Sequence, residues 1–287
     1  MPNLRQLRRR IRSIENTAKV THAMELIAAS KMRRAQTSVL AGRPYAYKIK
    51  EVIADLKAQP QEWDDGHPLL DQRPVSRIGI VYLTPDRGLC GGLHGALNRS
   101  AGQFILGKRP TPVTVVVVGK KGRDFVVRTG QDVQAVFVNM GDRPNMSDIL
   151  PICQMIFNDY LHGKVDEVYL VYPEFVSLTS QRPVVNRLLP IEPSDLPVES
   201  RLGYIYEPSP SAVLDLLLPR FVEMEVYHAF LELNACEQSA RMVSMRNATD
   251  NAKDMVGDLT LELNKARQDS ITSELLDIVG GAIALEG

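Results

Sequence analysis

The sequence predicts an α/β protein: two long terminal helices, paired as an antiparallel coiled coil, with a domain built on a mainly parallel sheet inserted between them. Three observations predict it. Apolar residues recur at helical spacing near the N-terminus, a seam of alternating three- and four-residue steps runs through residues 214–266, and β-rich runs alternate with helical ones between them.

At the N-terminus Leu4, Leu7, Ile11, Ile14, Ala18, Thr21 and Ala28 fall on one helical stripe, and no proline interrupts from Asn3 to Arg43. Gly42 and Pro44 predict a bend, after which the helix runs on through "YAYKIKEVIADLKAQ". "PQEWDDGHPLLDQRP" reads as a loop. The expected divisions are an N-terminal coiled-coil helix over 1–58, a linker over 59–74, an α/β domain over 75–208 and a C-terminal coiled-coil helix over 209–287.

Within the inserted domain "SRIGIVYLT", "PVTVVVVG", "VQAVFVN" and "VDEVYLVYP" read as strands, two of them almost continuously apolar, as strands buried on both faces are. Helical segments near 92–106, 119–130 and 147–162 intervene, which gives βαβ units and a Rossmann-like α/β domain. "LTSQRPVVNRLLPIE" reads as an edge hairpin strand. The seam that follows begins at Leu214, Leu217, Phe221 and Met224 and ends at Val256, Leu259, Leu263 and Ala266, with Gln238 and Thr249 as polar seam positions. Pro219 predicts a short first helix or a kink. The two helices are expected to pair with Leu4 to Ala28 facing the seam from about Val256 back to Leu231, and residues after Ala266 are expected to run on as a single helix.

Composition narrows the function classes. In 287 residues, 44% hydrophobic residues suffice for a buried core. "VTVVVV" and "VLDLLLP" are too short to span a bilayer and "MPNLRQLRRR" lacks the apolar segment of a secretory signal, so a soluble intracellular protein is expected. Cys90, Cys153 and Cys236 lie far apart and the five histidines are scattered, which argues against disulfides and a metal site. The net charge of zero hides a polarity: residues 1–34 hold nine Lys or Arg against two Glu, and residues 211–287 hold six against thirteen Asp or Glu. The two ends are expected to attract each other.

"LTPDRGLCGGLHGALN", residues 83–98, follows a strand and precedes a helix, the layout of a phosphate-binding turn. It ends in neither Gly-Lys-Ser nor Gly-Lys-Thr and does not contain G-x-G-x-x-G. Its residues alone leave a phosphate site and a turn that packs or meets a protein partner both open.

"AMELIAASKMRRAQ" at 23–36, "DRGLCGGL" at 86–93, "YEPSP" at 206–210, "ARMVSMRNATDNAKDM" at 240–255 and "NKARQDSITSELLDIVGGA" at 264–282 resemble, in this order and from end to end, the gamma subunit of bacterial F-type ATP synthases. The resemblance implies a non-catalytic central shaft in a ring of three alpha and three beta subunits. One copy per complex couples rotation of the membrane c-ring, driven by protons or sodium, to ATP synthesis or hydrolysis. It implies no catalytic residue, cofactor or metal of its own, no nucleic acid, no membrane span, and a peripheral place on the cytoplasmic face of the bacterial membrane. Contacts with the alpha/beta ring are expected from Met24, Lys31, Arg34, Asp86, Arg87, Cys90, Arg241, Arg267, Gln268, Thr272, Glu274 and Ile278, with Ile283 and Leu285 at the tip. Contacts with the c-ring and the epsilon subunit are expected from Tyr204, Tyr206 and Glu207. Pro85 and His94 stand where the family commonly has Ser and Asn. Two other readings rest on the residues alone: a nucleotide-binding α/β enzyme, on the glycine loop, and a basic coiled-coil adaptor, on "RQLRRRIR".

Overall fold

A computed structural model describes residues 4–58, 67–142, 144–191, 206–207 and 209–286. The chain divides into two compact units, one made of residues 1–28 and 242–287 and the other of residues 29–241. Helix α1, Leu4–Ala58, and helix α5, Pro210–Glu286, contribute to both.

The larger unit is built on five strands: β1 Ile78–Leu83, β2 Val113–Val118, β3 Asp132–Phe137, β4 Glu167–Phe175 and β5 Gln181–Leu189. Their order is β3-β2-β1-β4-β5, all parallel except β5, which runs antiparallel to β4. Helices α2 Leu93–Gly107, α3 Lys120–Arg128 and α4 Met146–Leu161 make the crossovers. The apolar runs that read as doubly buried strands are so for a visible reason. Ile78, Ile80, Tyr82, Val115 and Val117 pack on Leu93, Leu97, Ala101 and Ile105 of α2 and Val126 of α3. Val81, Leu83, Val116 and Val118 share the opposite core with Ile149, Ile152 and Ile156 of α4, with Ile49 and Ile53 of α1, and with Leu214, Leu218 and Val222 of α5.

Both sheet edges are blunted. On β3 the register slips between Val115 and Val116, which leaves Gln134 as the extra residue of a bulge, and its amide donates to the buried Asp159 carboxylate. On β5 Pro183 stands opposite Pro173, so neither strand lacks a partner for an N–H there.

Helix α5 starts where Ser209 accepts the Ala212 N–H at 3.2 Å, with Pro210 as its first helical residue. It then passes through Pro219 as one helix, so of the two expectations, a short first helix or a kink, the first fails. An internal proline costs about 3 kcal/mol. Leu214, Leu218 and Val222 around it are at most 2% exposed, and burying each contributes about 1.5–3 kcal/mol, so packing holds the helix through the defect.

In the smaller unit Leu7, Ala28, Met242, Met245, Thr249, Ala252 and Leu259 are buried, and Leu4, Ile11, Ile14, Ala18, Val256, Leu263 and Ala266 are half-buried. These are the residues of the two stripes. The register differs from the expected one. The Thr21 and Thr249 hydroxyls share a hydrogen bond of 2.7 Å and Arg246 donates to Glu25 at 2.9 Å, which sets Ala28 beside Met242 rather than Leu231. The shift is about ten residues along α5, or about 15 Å. A seam in which Ala and Thr interrupt Leu, Ile and Met repeats a similar pattern every three or four residues, so specific polar pairs and not periodicity select the register. The Arg246–Glu25 ion pair also runs against the charge polarity expected of the two ends, with the acid on α1 and the base on α5. Among the described residues no helix is long and apolar enough to cross a membrane.

Candidate partner-contact surfaces

The glycine loop leaves β1 at the C-terminal edge of the sheet. Leu89 and Gly91 take positive φ of 63° and 58°, and the Leu89 side chain is 60% exposed. Cys90 is fully buried against α2, with its sulfur 3.8 Å from the Arg87 carbonyl and 4.0 Å from Nδ1 of His94. Burial pushes its thiol up, Glu237 adds to the effect, and Arg241 opposes both. Cys90 therefore shapes the loop and presents nothing at the surface, whereas Arg87 is exposed.

A phosphate in such a fold would sit at the N-terminus of the helix that follows a strand. At α3 that place is taken by the chain itself. One oxygen of Asp86 accepts the Lys120 N–H at 3.0 Å, and the other accepts the Asn139 N–H at 2.7 Å. Thr84 donates to the Val118 carbonyl and accepts the Gly122 N–H, both at 2.8 Å. A cavity of about 260 Å³ lies alongside, bordered by Asp86, Asn139, Asp142, Leu233 and Glu237. Burial pushes the Glu237 carboxyl above its usual range, Arg241 pulls it back, and Asp142 and Asp86 push it further up. Arg87 and Lys120 border the same recess, and Arg241 and Lys31 pair Glu237 and Asp142.

The cationic candidates divide. Lys31 bonds Asp142 at 2.6 Å and is one-third exposed. Arg241 is nearly buried, bonded to Glu237 at 2.5 Å and to the Gly88 carbonyl at 3.3 Å. Arg34 is exposed and touches only its own helix, at Ser30. The structure thus brings Asp86, Cys90, Arg241 and Lys31 together in internal contacts and leaves Arg87 and Arg34 facing outward. Sequence reasoning missed Asp142, Asn234 and Glu237, which join this cluster from a loop and from the middle of α5. No local pattern marks Asp142 and Asn234, because their partners are 92 or more residues away, whereas Glu237 bonds Arg241 one helical turn on.

On the smaller unit Met24 is half-buried beside the coil seam, while Arg267, Gln268, Thr272, Glu274 and Ile278 are exposed. Every residue from 271 to 280 is exposed, including Ile271, Leu275, Leu276, Ile278 and Val279 at 46–68%. Of the foot candidates, Tyr206 packs against the larger core and Glu207 is exposed; Tyr204 lies outside the described residues, as do the side chains of Ile283 and Leu285.

A family model described as ATP synthase matches residues 3–285. The ATP synthase gamma chain of Dehalococcoides mccartyi strain CBDB1 is 58% identical over 285 residues, covering 99% of this chain and 100% of the relative. That of Roseiflexus castenholzii is 50% identical over 288 residues, covering 99% of each. Among solved structures, a chain of the Euglena gracilis mitochondrial ATP synthase has a TM-score of 0.67 at 19% identity, covering 98% of this chain and 94% of that one. A chain of the Tetrahymena thermophila central stalk and c-ring structure has a TM-score of 0.63 at 23% identity, covering 80% and 99%. Matched over nearly all of its length at this identity, the chain belongs to the ATP synthase gamma-chain family.

Proposed function

We propose that the chain is the central-stalk rotor of a proton- or sodium-translocating ATP synthase and catalyses nothing itself. It works as one copy inside three alpha and three beta subunits, with the epsilon subunit and the c-ring at its foot, on the cytoplasmic face of a bacterial membrane. The helix over 1–58, the linker over 59–74, the α/β domain over 75–208 and the helix over 209–287 are its working divisions.

The observation that carries the reading is the end of α5. Its last half-buried residue among those described is Ser270, and the apolar side chains beyond it are exposed along ten consecutive residues. A lone helix end in water lacks the packing that holds it, so this segment fits the inside of a sleeve. An asymmetric shaft cannot touch three identical catalytic subunits alike. Each therefore receives a different bias between open and closed forms, and the size of that bias is the difference in contact energy. Turning the shaft passes the bias from site to site. Arg34, Arg87, Arg267 and Gln268 supply exposed polar contacts, each worth about 0–1 kcal/mol and so readily exchanged as surfaces slide past. Met24, Thr272, Glu274 and Ile278 border them; Tyr206 and Glu207 serve the foot.

A nucleotide-binding enzyme is disfavoured because the glycine loop into α2 has neither phosphate-binding spacing, and Asp86 fills the anion position at α3. The test is reconstitution with purified alpha and beta subunits. The expected result is an ATPase complex in which Arg267→Ala with Gln268→Ala lowers activity more than Arg128→Ala, a surface change on α3. Equal activity of these variants at equal assembly would refute the placement of the tip, and a stoichiometric micromolar ATP site on the isolated chain by calorimetry would refute the non-catalytic reading.

A further inference from the structure

Residues 232–241 of α5, "ELNACEQSAR", carry six polar side chains through one of the most buried parts of the helix. Burying polar groups is costly unless each is met by a partner. Here they are met, mostly by loops and in one case, Glu237 with Arg241, by each other. On one side Glu232 accepts the Phe175 N–H at 2.8 Å and Ser239 donates to the Leu178 carbonyl at 2.6 Å, so both reach the β4–β5 hairpin. On the other side Asn234 donates to the Asp142 carbonyl at 2.5 Å and Gln238 to the Asp142 carboxylate at 3.3 Å. Glu237 holds Arg241 at 2.5 Å, and Arg241 donates to the Gly88 carbonyl at 3.3 Å in the glycine loop. From α1, Lys31 closes on the second Asp142 oxygen at 2.6 Å.

Asp142 is the common point. Its loop follows β3, and side chains from both helices converge on this one residue. Asp86 in turn joins the backbone of that loop at Asn139 to the start of α3. The loops after β1 and β3 are thus fastened to α1 and α5 by directed bonds, in addition to the apolar core beneath them. Gln238, at 2% exposure, and Arg241, at 9%, are held too tightly to serve a partner.

We propose that Asp142, with Lys31, Gln238, Glu237 and Arg241, forms a clamp of positioning residues that makes the α/β domain and its glycine loop turn with the helices. This rests on the rotor reading and specifies where torque passes between helix and domain. The partly exposed Lys31–Asp142 pair, 31% and 46%, contributes little on its own, so the hold comes from its combination with the buried Gln238 and Arg241 bonds.

The test uses the complete enzyme in membrane vesicles, carrying Asp142→Ala, Lys31→Ala, Gln238→Ala or the charge swap Lys31→Asp with Asp142→Lys. Assembly, the ATP hydrolysis rate and ions pumped per ATP are read together. The clamp requires that the single variants assemble and hydrolyse ATP but pump about twofold or more fewer ions per ATP, and that the swap recovers part of the loss. A merely structural role lowers assembly and hydrolysis in step and leaves the ratio unchanged. An unchanged ratio in all three single variants at normal assembly overturns the clamp and leaves the rotor reading standing. Failure of the unaltered chain to assemble with alpha and beta subunits overturns the rotor reading and the clamp with it.

Discussion

Gly119 and Gly122 are two glycines that the fold cannot replace. Gly119 has φ 93°, and a Cβ there would lie 2.0 Å from the Thr84 carbonyl oxygen; one on Gly122 would lie 2.7 Å from the Thr84 hydroxyl. Helix α3 can begin against the end of β1 only because both side chains are missing. Gly95, in the conspicuous glycine loop, would meet nothing within 4 Å. We expect Gly119→Ala to lower unfolding stability by more than about 2 kcal/mol and Gly95→Ala to change it by less than about 1 kcal/mol in either direction, measured in denaturant. Equal effects would show that the approach of α3 to β1 is looser than described. A second residue acts through charge. The buried Asp166 carboxylate accepts the Ser76 hydroxyl, the Ser76 N–H and the Arg77 N–H at 2.6–3.0 Å. Burial pushes its pKa up, but these bonds and the nearby Arg73 outweigh burial and hold it below the usual aspartate range. A depressed folded value contributes stability above the unfolded value, about 3.9, and loses it as pH falls through the folded one. The stability gap between the native chain and Asp166→Asn should accordingly be constant near pH 7 and narrow below about pH 4, and a gap that widens in acid would contradict the sign. The sequence made the glycine loop stand out because its glycines are adjacent. The need for Gly119 was invisible because it depends on a strand end 35 residues earlier.

Strands and crossover helices were legible because each carries a local period. "VTVVVV" and "RIGIVYL" have no polar face to confuse the reading, and a β-rich run between two helical ones leaves little choice but a parallel neighbour. What a period cannot show is which residue lies opposite. The stripes of α1 and α5 were read correctly, yet their register was not, because Thr21, Ala28, Thr249 and Ala252 match many alternatives. The short first helix expected at Pro219 failed for a related reason: its cost is local, and the packing that offsets it comes from β-strand and helix residues far away in sequence. The faces themselves make a sharp prediction. Leu259 is 8% exposed and Leu261 is 70% exposed. Leu259→Ala should cost about 2–3 kcal/mol and Leu261→Ala less than about 0.5 kcal/mol in unfolding of the isolated chain. Similar losses for both would mean that α5 turns another face to α1.

At the scale of the molecule the contact residues divide by what they are free to do. Of the expected ring contacts, those near the sheet are mostly spent inside the chain, and those at the end of α5 are not. That difference was unreadable in the sequence, since Arg241 and Arg267 look alike until their partners are known. It also fixes where assembly must change the molecule. Backbone hydrogen bonds in a single helix protect poorly when no side chains shield them, because each opening costs only local helix stability. Residues 214–231 include Leu214, Leu218, Val222 and Val226, each at most 2% exposed; residues 271–280 include none that is even half-buried. In the free chain, amides from 271 to 280 should exchange far faster than those from 214 to 231, and assembly with alpha and beta subunits should slow the first group while hardly altering the second. Hydrogen exchange read by mass spectrometry decides it. Equal protection of the two segments in the free chain would mean that this chain holds its own tip, and the sleeve that motivates the rotor reading would have nothing to do.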